Sequence, residues 1–516
     1  MMGFLMVSGA GERCRFGAVW PGTAALLMSV AACATVPAEQ ALDGISTPPS
    51  WTALTDDAPA QAVTENWLAD LGDARADAVV AEALARNKDL ENSASQVGAI
   101  LANARVTRAS LLPQAQFGFT ASSVRTPAGD PQFNPETGEF EGGGEASSSD
   151  SYRLSTSLSW ELDVWGRLTD QTRAAYLDVE AARLDFAAAQ LSLAGAAVQG
   201  LYGLTAATLQ RQLSERDVET GENNLRVIER RYERGISTSL DVRLARSSLA
   251  QSRANLAQRR QTEIAAARRL ETLLGRYPAG QMQGLGTLPG LPTILDEDGA
   301  ITGVGEPGWL LVRRPDILAA EADIEASGLR VAAARKAFLP SLSLSASAQS
   351  LVADSYDDVS YDPDDLIANL VGNLVQPLFQ GGRLRANEKA REFQLKSSLA
   401  QYGQTVLSAY EEVENALTAE HLLSTQYTAQ ALALEEAKAA EALTVRQYLA
   451  GTATIFDLIN AQQRAISSES QFITAAEARL SNRIDLYLAL GAPFHPQTDP
   501  DLIAFDQPIG SSKEGS

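Results

Sequence analysis

The sequence predicts a mainly α-helical chain with a small β component, built twice over. Three observations carry this. Landmarks recur at a constant offset of 216 residues: Arg231-Tyr232-Glu233-Arg234-Gly235 answers Gln447-Tyr448-Leu449-Ala450-Gly451, Asp241 answers Asp457, Arg167 answers Arg383, and Leu274-Gly275 answers Leu490-Gly491. A fixed period over this distance marks a duplicated structural unit. Next, there is no proline from Arg167 to Arg234 or from Leu384 to Ala450, and as helices such runs would each reach about 100 Å. Last, short segments before these runs alternate between apolar and polar residues, the period of a half-buried strand.

Upstream of the long runs the offset becomes 227, since Leu112-Pro113 answers Leu339-Pro340 and Asp89 answers Asp316. The first copy therefore carries the longer loop between Pro113 and Arg167.

Taken in order, residues 1–32 read as an export signal. Arg13 and Arg15 precede an apolar stretch from Phe16 to Ala32. The stretch ends Val30-Ala31-Ala32-Cys33, which resembles a bacterial lipobox and would leave Cys33 to carry lipid; an ordinary signal with an incidental cysteine is the plainer reading. Cys14, the only other cysteine, leaves with the signal, so no disulfide is possible. Residues 33–75 form a lipidated N-terminal segment. The first repeat covers 76–275, a Gly- and Pro-rich linker 276–307, the second repeat 308–491, and a tail 492–516.

Each repeat reads helix, two strands, very long helix, turn, helix. Residues 76–111 are expected as one helix, stopped by Pro113. Ala115, Phe117, Phe119 and Ala121 then share one strand face, and Leu154, Leu158, Trp160, Leu162 and Val164 share another, opposite Ser155, Ser157, Ser159, Glu161 and Asp163. Residues 122–150 read as a solvated loop. In the second repeat a helix over 308–339 leads to Leu342, Leu344, Ala346 and Ala348 opposite four serines, an acidic loop Asp354–Asp365, and a strand Leu366–Val375. The loop's aspartates have no EF-hand spacing. Glycine turns at Gly235 and Gly451 suit left-handed helix caps. The return helices, 239–274 and 455–490, have half the length of their partners, and the helices at 76–111 and 308–339 stack on them to complete coiled hairpins.

These strands fit a soluble sandwich or an outer-membrane barrel. The export signal and the long hairpin loops favour the barrel. Lipid forbids open sheet edges and the smallest such barrels have about eight strands, so several copies must pool four strands each, and three copies would give twelve. The net charge of −22 disfavours nucleic acid. The two histidines, His421 and His495, lie far apart, and neither a metal-ligand cluster, a nucleophile elbow nor a phosphate loop is present. The sequence therefore implies no cofactor and no enzyme.

The chain resembles the TolC-type outer-membrane efflux factors, in their lipidated, NodT-like branch, over residues 64–492. The resemblance rests on "ALARNKDL" at 83–90, "LLP" at 111–113, "WELDVWGR" at 160–167, "RYERGISTSLDV" at 231–242, "RRPDI" at 313–317, "FLP" at 338–340, "QPLFQGGR" at 376–383 and "QYLAGTATIFDLINAQ" at 447–462. It implies a homotrimer with a twelve-stranded barrel in the outer membrane and a helical tunnel through the periplasm. It also implies docking to a periplasmic adaptor protein and an inner-membrane pump of the resistance-nodulation-division type.

By the same resemblance Asp457 matches a ring of aspartates that constricts the tunnel mouth, and Tyr448 matches a tyrosine that holds it shut. Two departures stand out: Ala453 replaces a basic residue after the turn, and Asn460 replaces a second acid. The tips, Gly235-Ile236-Ser237 and Gly451-Thr452-Ala453, are the expected adaptor-docking points. Glu161 and Asp163 are expected to face the lumen. Each has a plainer role available. Thr454 to Asp457 and Thr238 to Asp241 form capping-box patterns, Tyr448 and Tyr232 can pack between helices, and glycine turns need no partner. The competing function is a periplasmic coiled-coil structural lipoprotein anchored to the outer membrane.

Overall fold

Proline placement and helix caps set the boundaries of every long element. The structure, a computed structural model, describes residues 47–53, 66–127, 132–133, 135–141, 146–291, 304–350, 354–359, 362, 364 and 366–494. The export signal, Cys33 and the tail beyond 494 lie outside these residues. Short helices α1 (Trp67–Asp70) and α2 (Ala74–Arg86) lead to α3 (Lys88–Ala109). The hairpin β1 (Gln114–Thr126) and β4 (Ser147–Leu162) follows, with a small ribbon of β2 (Gln132–Phe133) and β3 (Phe140–Glu141) between them. Then come α4 (Arg167–Glu233) and α5 (Ser239–Leu273). The second repeat runs α6 (Leu310–Arg313), α7 (Pro315–Lys336), β5 (Ser341–Ser350), β6 (Leu366–Val375), α8 (Arg383–Ala450) and α9 (Ile455–Ala489).

The very long helices are present: α4 has 67 residues and α8 has 68. Two expected helices are each divided. The run 76–111 breaks at Asn87, whose backbone is extended (φ −63, ψ 129). Its side chain accepts from Leu90 N at 2.9 Å and donates to the Leu273 carbonyl at 2.8 Å, capping α3 and tying it to the end of α5. The run 308–339 breaks at Arg314, because Pro315 pushes the residue before it out of helical geometry. Arg314 is put to use there: its guanidinium donates to the Ala489 carbonyl at 2.9 Å and to Glu412 at 2.7 Å, joining α7, α8 and α9.

The strands extend beyond the expected loop boundaries. β1 and β4 pair from Gln114↔Ser159 to Thr126↔Ser147, so much of the Ser-rich segment belongs to the ladder, where its backbone groups find partners. The sheet order is β1-β4-β5-β6, wholly antiparallel. Register brings Phe119 opposite Leu154, Leu158 opposite Ala346, and Ala346 opposite Leu370. One face is therefore continuously apolar. The other places Ser157 opposite Ser347 and Ser347 opposite Asn369. Phe119, Tyr152 and Tyr356 cluster on the apolar face, with Phe119 stacked on Tyr152 at 6.4 Å.

The main core lies where α2, α4, α5, α8 and α9 meet, around Leu201, Tyr202, Leu270, Val413 and Ile484. The described parts of the irregular segments pack on this core. Trp51 donates its indole N–H to the Gly305 carbonyl at 2.9 Å, and the amides of Thr52 and Ala53 bind the Glu414 carboxylate at 2.7 and 3.0 Å. Trp67 stacks on Tyr487. Buried Glu271 accepts from the amides of Gly280, Gln281 and Met282 at 2.6–2.9 Å, fixing the start of the linker.

Gly275 ends α5 at φ +67, and a Cβ there would sit 2.4 Å from the Arg86 carbonyl oxygen. Gly275→Ala therefore forces left-handed strain and a backbone clash together, at a cost of about 1–3 kcal/mol. Thermal unfolding of the variant should show a clear drop in midpoint. An unchanged midpoint would contradict this packing.

Among the described residues no helix is long and apolar enough to cross a membrane.

Candidate functional site

The far ends of the two hairpins share one geometry, as their common sequence pattern requires. α4 ends at Gly235 (φ 73) and α8 at Gly451 (φ 80), each left-handed. The Ile236 amide returns to the Arg231 carbonyl at 2.8 Å and the Thr452 amide to the Gln447 carbonyl at 2.9 Å. These bonds close the exposed end of each helix. Both return helices open with a full capping box: Asp241 N donates to Thr238 Oγ1 and Thr238 N to Asp241 Oδ2, with Thr454 and Asp457 repeating the arrangement.

The two tips pack together through a small satellite core of Ile228, Val242, Ala245, Tyr448, Ile455 and Leu458. Tyr448 is buried within it, and the Arg231 guanidinium lies 5.1 Å from its ring centroid, a contact worth about 0.5–2 kcal/mol. Burial raises the pKa of the Tyr448 hydroxyl; Arg231 lowers it and Asp241 raises it further. Tyr232, the counterpart of Tyr448, is exposed, so only one of the two tyrosines fills the joint.

Asp457 is exposed, and its Oδ2 accepts from both the hydroxyl (2.6 Å) and the amide (2.9 Å) of Thr454. These bonds hold its carboxyl below the usual aspartate range. Within one protomer Asp457 is thus a helix cap whose charge persists into mild acid. Gly235, Ile236, Gly451 and Thr452 are exposed, whereas Ser237 is half-buried and Ala453 packs against the satellite core. The tips present exposed apolar side chains: Ile236 is 60% exposed, Leu240 63% and Phe456 60%, and Leu449, which the turn pattern did not single out, 70%.

At the opposite end, Glu161 lies on the polar sheet face opposite Ser343 and pairs with Arg167 at 2.6 Å. Asp163 accepts from Leu168 N at 2.9 Å and from both the amide and hydroxyl of Thr169 at 2.7 Å. It therefore caps α4. The signal was available, since an aspartate four residues before Arg167 precedes a helix start. These residues line a cavity of about 710 Å³ beneath the sheet, together with Asp178, Arg330, Lys336 and Arg391.

Sequence reasoning missed the charged pair inside the main core. Glu420 of α8 and Arg483 of α9 are both 0% exposed and meet at 2.5 Å, with Asn482 Nδ2 donating to Glu420 at 3.3 Å and to the Ala416 carbonyl at 3.0 Å. The partners are far apart in the chain, and no local pattern joins them.

Comparison with known proteins places this architecture. The family model for outer membrane efflux protein matches residues 79–276 and 307–492. The probable efflux pump outer membrane protein SepC of Pseudomonas putida is 30% identical over 83% of this chain and 85% of its own length. The pyoverdine export outer membrane protein OpmQ of the same species is 30% identical over 90% and 96%. Among solved structures, a membrane protein from Pseudomonas aeruginosa is 28% identical with a TM-score of 0.72, covering 85% of this chain and all of that one. The Campylobacter jejuni CmeC outer membrane channel has the same fold at 22% identity, with a TM-score of 0.74 over 86% and 91% of the two chains. The helical hairpins, the open four-stranded sheet and these matches lead to one conclusion: the chain belongs to the outer membrane efflux protein family and is an outer-membrane efflux channel, not an enzyme.

Proposed function

We propose that three copies of this chain form the exit duct of a tripartite efflux system, carrying small molecules from the periplasm to the exterior without performing chemistry. One observation carries the reading: among the described residues β1 and β6 each have a sheet partner on one side only, although the sheet has a continuous apolar face. In lipid every backbone amide needs a partner, and four strands are too few to close. Three copies satisfy both conditions with twelve strands, and the helices below them then enclose a tunnel. Relatives bear names tied to toluene and to pyoverdine, which supports a cargo chosen elsewhere in the assembly.

The tips Gly235-Ile236-Ser237 and Gly451-Thr452-Ala453 are the docking points for a periplasmic adaptor, with Gly235, Ile236, Gly451 and Thr452 exposed and Leu240, Leu449 and Phe456 extending the apolar contact. An inner-membrane pump of the resistance-nodulation-division type supplies the energy. Cys33 carries the lipid that anchors the N-terminus in the outer membrane. Asp457 and Tyr448 form the gate, the first as a ring of charge at the mouth and the second by holding the two hairpins together with Arg231.

Planar-bilayer conductance tests the gate. The intact channel should prefer cations, because each copy would bring one Asp457 carboxylate to the mouth. Asp457→Ala should reduce the preference and weaken block by trivalent cations. Unchanged selectivity would leave Asp457 as a cap alone.

A further inference from the structure

The polar face of the sheet is built from short, uncharged side chains with two exceptions. A typical row sets Gln116 opposite Ser157, Ser157 opposite Ser347, and Ser347 opposite Asn369. The exceptions are Glu161, at the end near the helices, and Arg153, opposite Thr120 toward the hairpin end. Arg125 and Asp150 are also charged, but alternation along the same ladder puts them on the other face, in line with Phe119 and Tyr152.

The two exceptions differ in their surroundings. Glu161 is neutralised by Arg167 at 2.6 Å. Arg153 is exposed, and none of the ion pairs among the described residues includes it. Tyr356, from the acidic loop after β5, packs on Phe119 and Tyr152. That stretch of the loop therefore lies over the apolar face and leaves the Arg153 side of the sheet clear.

The cavity beneath the sheet continues the same sign. Its carboxylates are engaged, Asp178 with Arg330 and Asp163 as the cap of α4. Arg383 and Arg391 also line it, and they donate to the neutral carbonyls of Gln380 and Gln394 at 2.6 and 2.9 Å.

We propose that Arg153 of each copy joins a basic ring inside the barrel, toward its outer end, and that this ring binds anionic groups, phosphate or carboxylate, of molecules on their way out. This rests on the three-copy barrel proposed above and adds a charge filter at its exit. Twelve strands spaced about 4.8 Å apart and tilted by about 40° close at a backbone radius of about 12 Å. Serines leave most of that width open. Arginine is the longest side chain on this face, so the guanidiniums reach furthest toward the axis, where they share an anion's oxygens through charge-assisted bonds. Their charge is permanent. A chain of net charge −22 thus presents a positive ring at its exit.

Planar-bilayer conductance of the full-length protein, with inorganic pyrophosphate as the probe, tests the ring. At about 0.1 M salt pyrophosphate should block the intact channel, and more strongly from one side of the bilayer than from the other. At about 1 M salt, where the screening length falls to about 3 Å, the block should weaken. Arg153→Gln should raise the half-blocking concentration by about tenfold or more, and Arg153→Lys should keep much of the block. Thr120→Arg, which adds a second guanidinium at the paired position, should lower the half-blocking concentration. Arg125→Gln, on the opposite face of the same hairpin, should behave as the intact channel. Conducting Arg153→Gln channels blocked as strongly as the intact ones would overturn the ring and leave the barrel standing. So would Thr120→Arg channels blocked no better than the intact ones. Loss of block in Arg125→Gln would place the anion outside the barrel and overturn the ring too. An intact protein that forms no conducting pore sinks the three-copy barrel, and the ring with it.

Discussion

Glu420→Ala is expected to prevent the channel from folding stably. The substitution leaves the Arg483 guanidinium fully enclosed without its carboxylate, and both side chains have no exposed surface. Removing one partner of a buried ion pair costs about 3–5 kcal/mol, a large fraction of the stability of any domain. Arg483→Ala should also be damaging, because it leaves the Glu420 carboxylate buried with Asn482 and the more distant Arg479 as its remaining neighbours. The double variant Glu420→Leu with Arg483→Met should recover much of the loss, since no bare charge remains. Urea unfolding followed by tryptophan fluorescence would measure this: Trp51 and Trp67 sit in the same core. A double variant as unstable as the sum of the singles would show that the pair acts as something other than two mutually neutralising charges.

The second large effect concerns the sheet. Leu370→Arg should abolish insertion into the membrane, whereas Asn369→Arg one residue earlier should be tolerated. The register puts Leu370 on the face shared with Ala346 and Leu158, and Asn369 on the face shared with Ser347 and Ser157. An arginine facing lipid near the bilayer midplane costs about 2–4 kcal/mol, while positions facing the lumen accept polar groups. Heat-modifiable migration after refolding into detergent or liposomes reads the difference directly. If both variants insert equally, the apolar face does not contact lipid, and the barrel reading fails with it.

Much of this architecture was legible because it depends on punctuation and period. Proline-free runs became α4 and α8, the two glycines became the tips, and alternation from Ser341 to Ala348 became β5, its apolar residues sharing one face of the sheet. The capping boxes at Thr238 and Thr454 were read from four residues each. What escaped reading depends on encounters between distant segments. Asn87 sits in a stretch whose composition says helix, and only its bond to the Leu273 carbonyl turns it into a break. Asp163 falls at a polar position by alternation, and only the bonds it accepts from Leu168 and Thr169 reveal it as the cap of the helix beginning four residues later. The Ser-rich arms of the first hairpin have weak strand propensity and are held by cross-strand pairing. Glu420 lies in a helix full of exposed glutamates, and nothing in its local sequence separates it from them.

Between Glu420 and Tyr448 no side chain of α8 is fully buried. The internal core ends at Glu420 and the satellite core resumes only at the tip, so about 42 Å of shaft lies between the two cores, tied to α9 along the way by the Tyr427–Phe472 contact and the Lys438–Glu469 pair. That geometry is a lever arm with its fulcrum at the buried ion pair. A swing of about 10° at the fulcrum would carry Gly451 sideways by about 8 Å, using the same rise per residue. Small rotations where the irregular segments pack on the shaft would thus translate into displacements at the mouth as large as an amino-acid side chain, with every helical hydrogen bond intact.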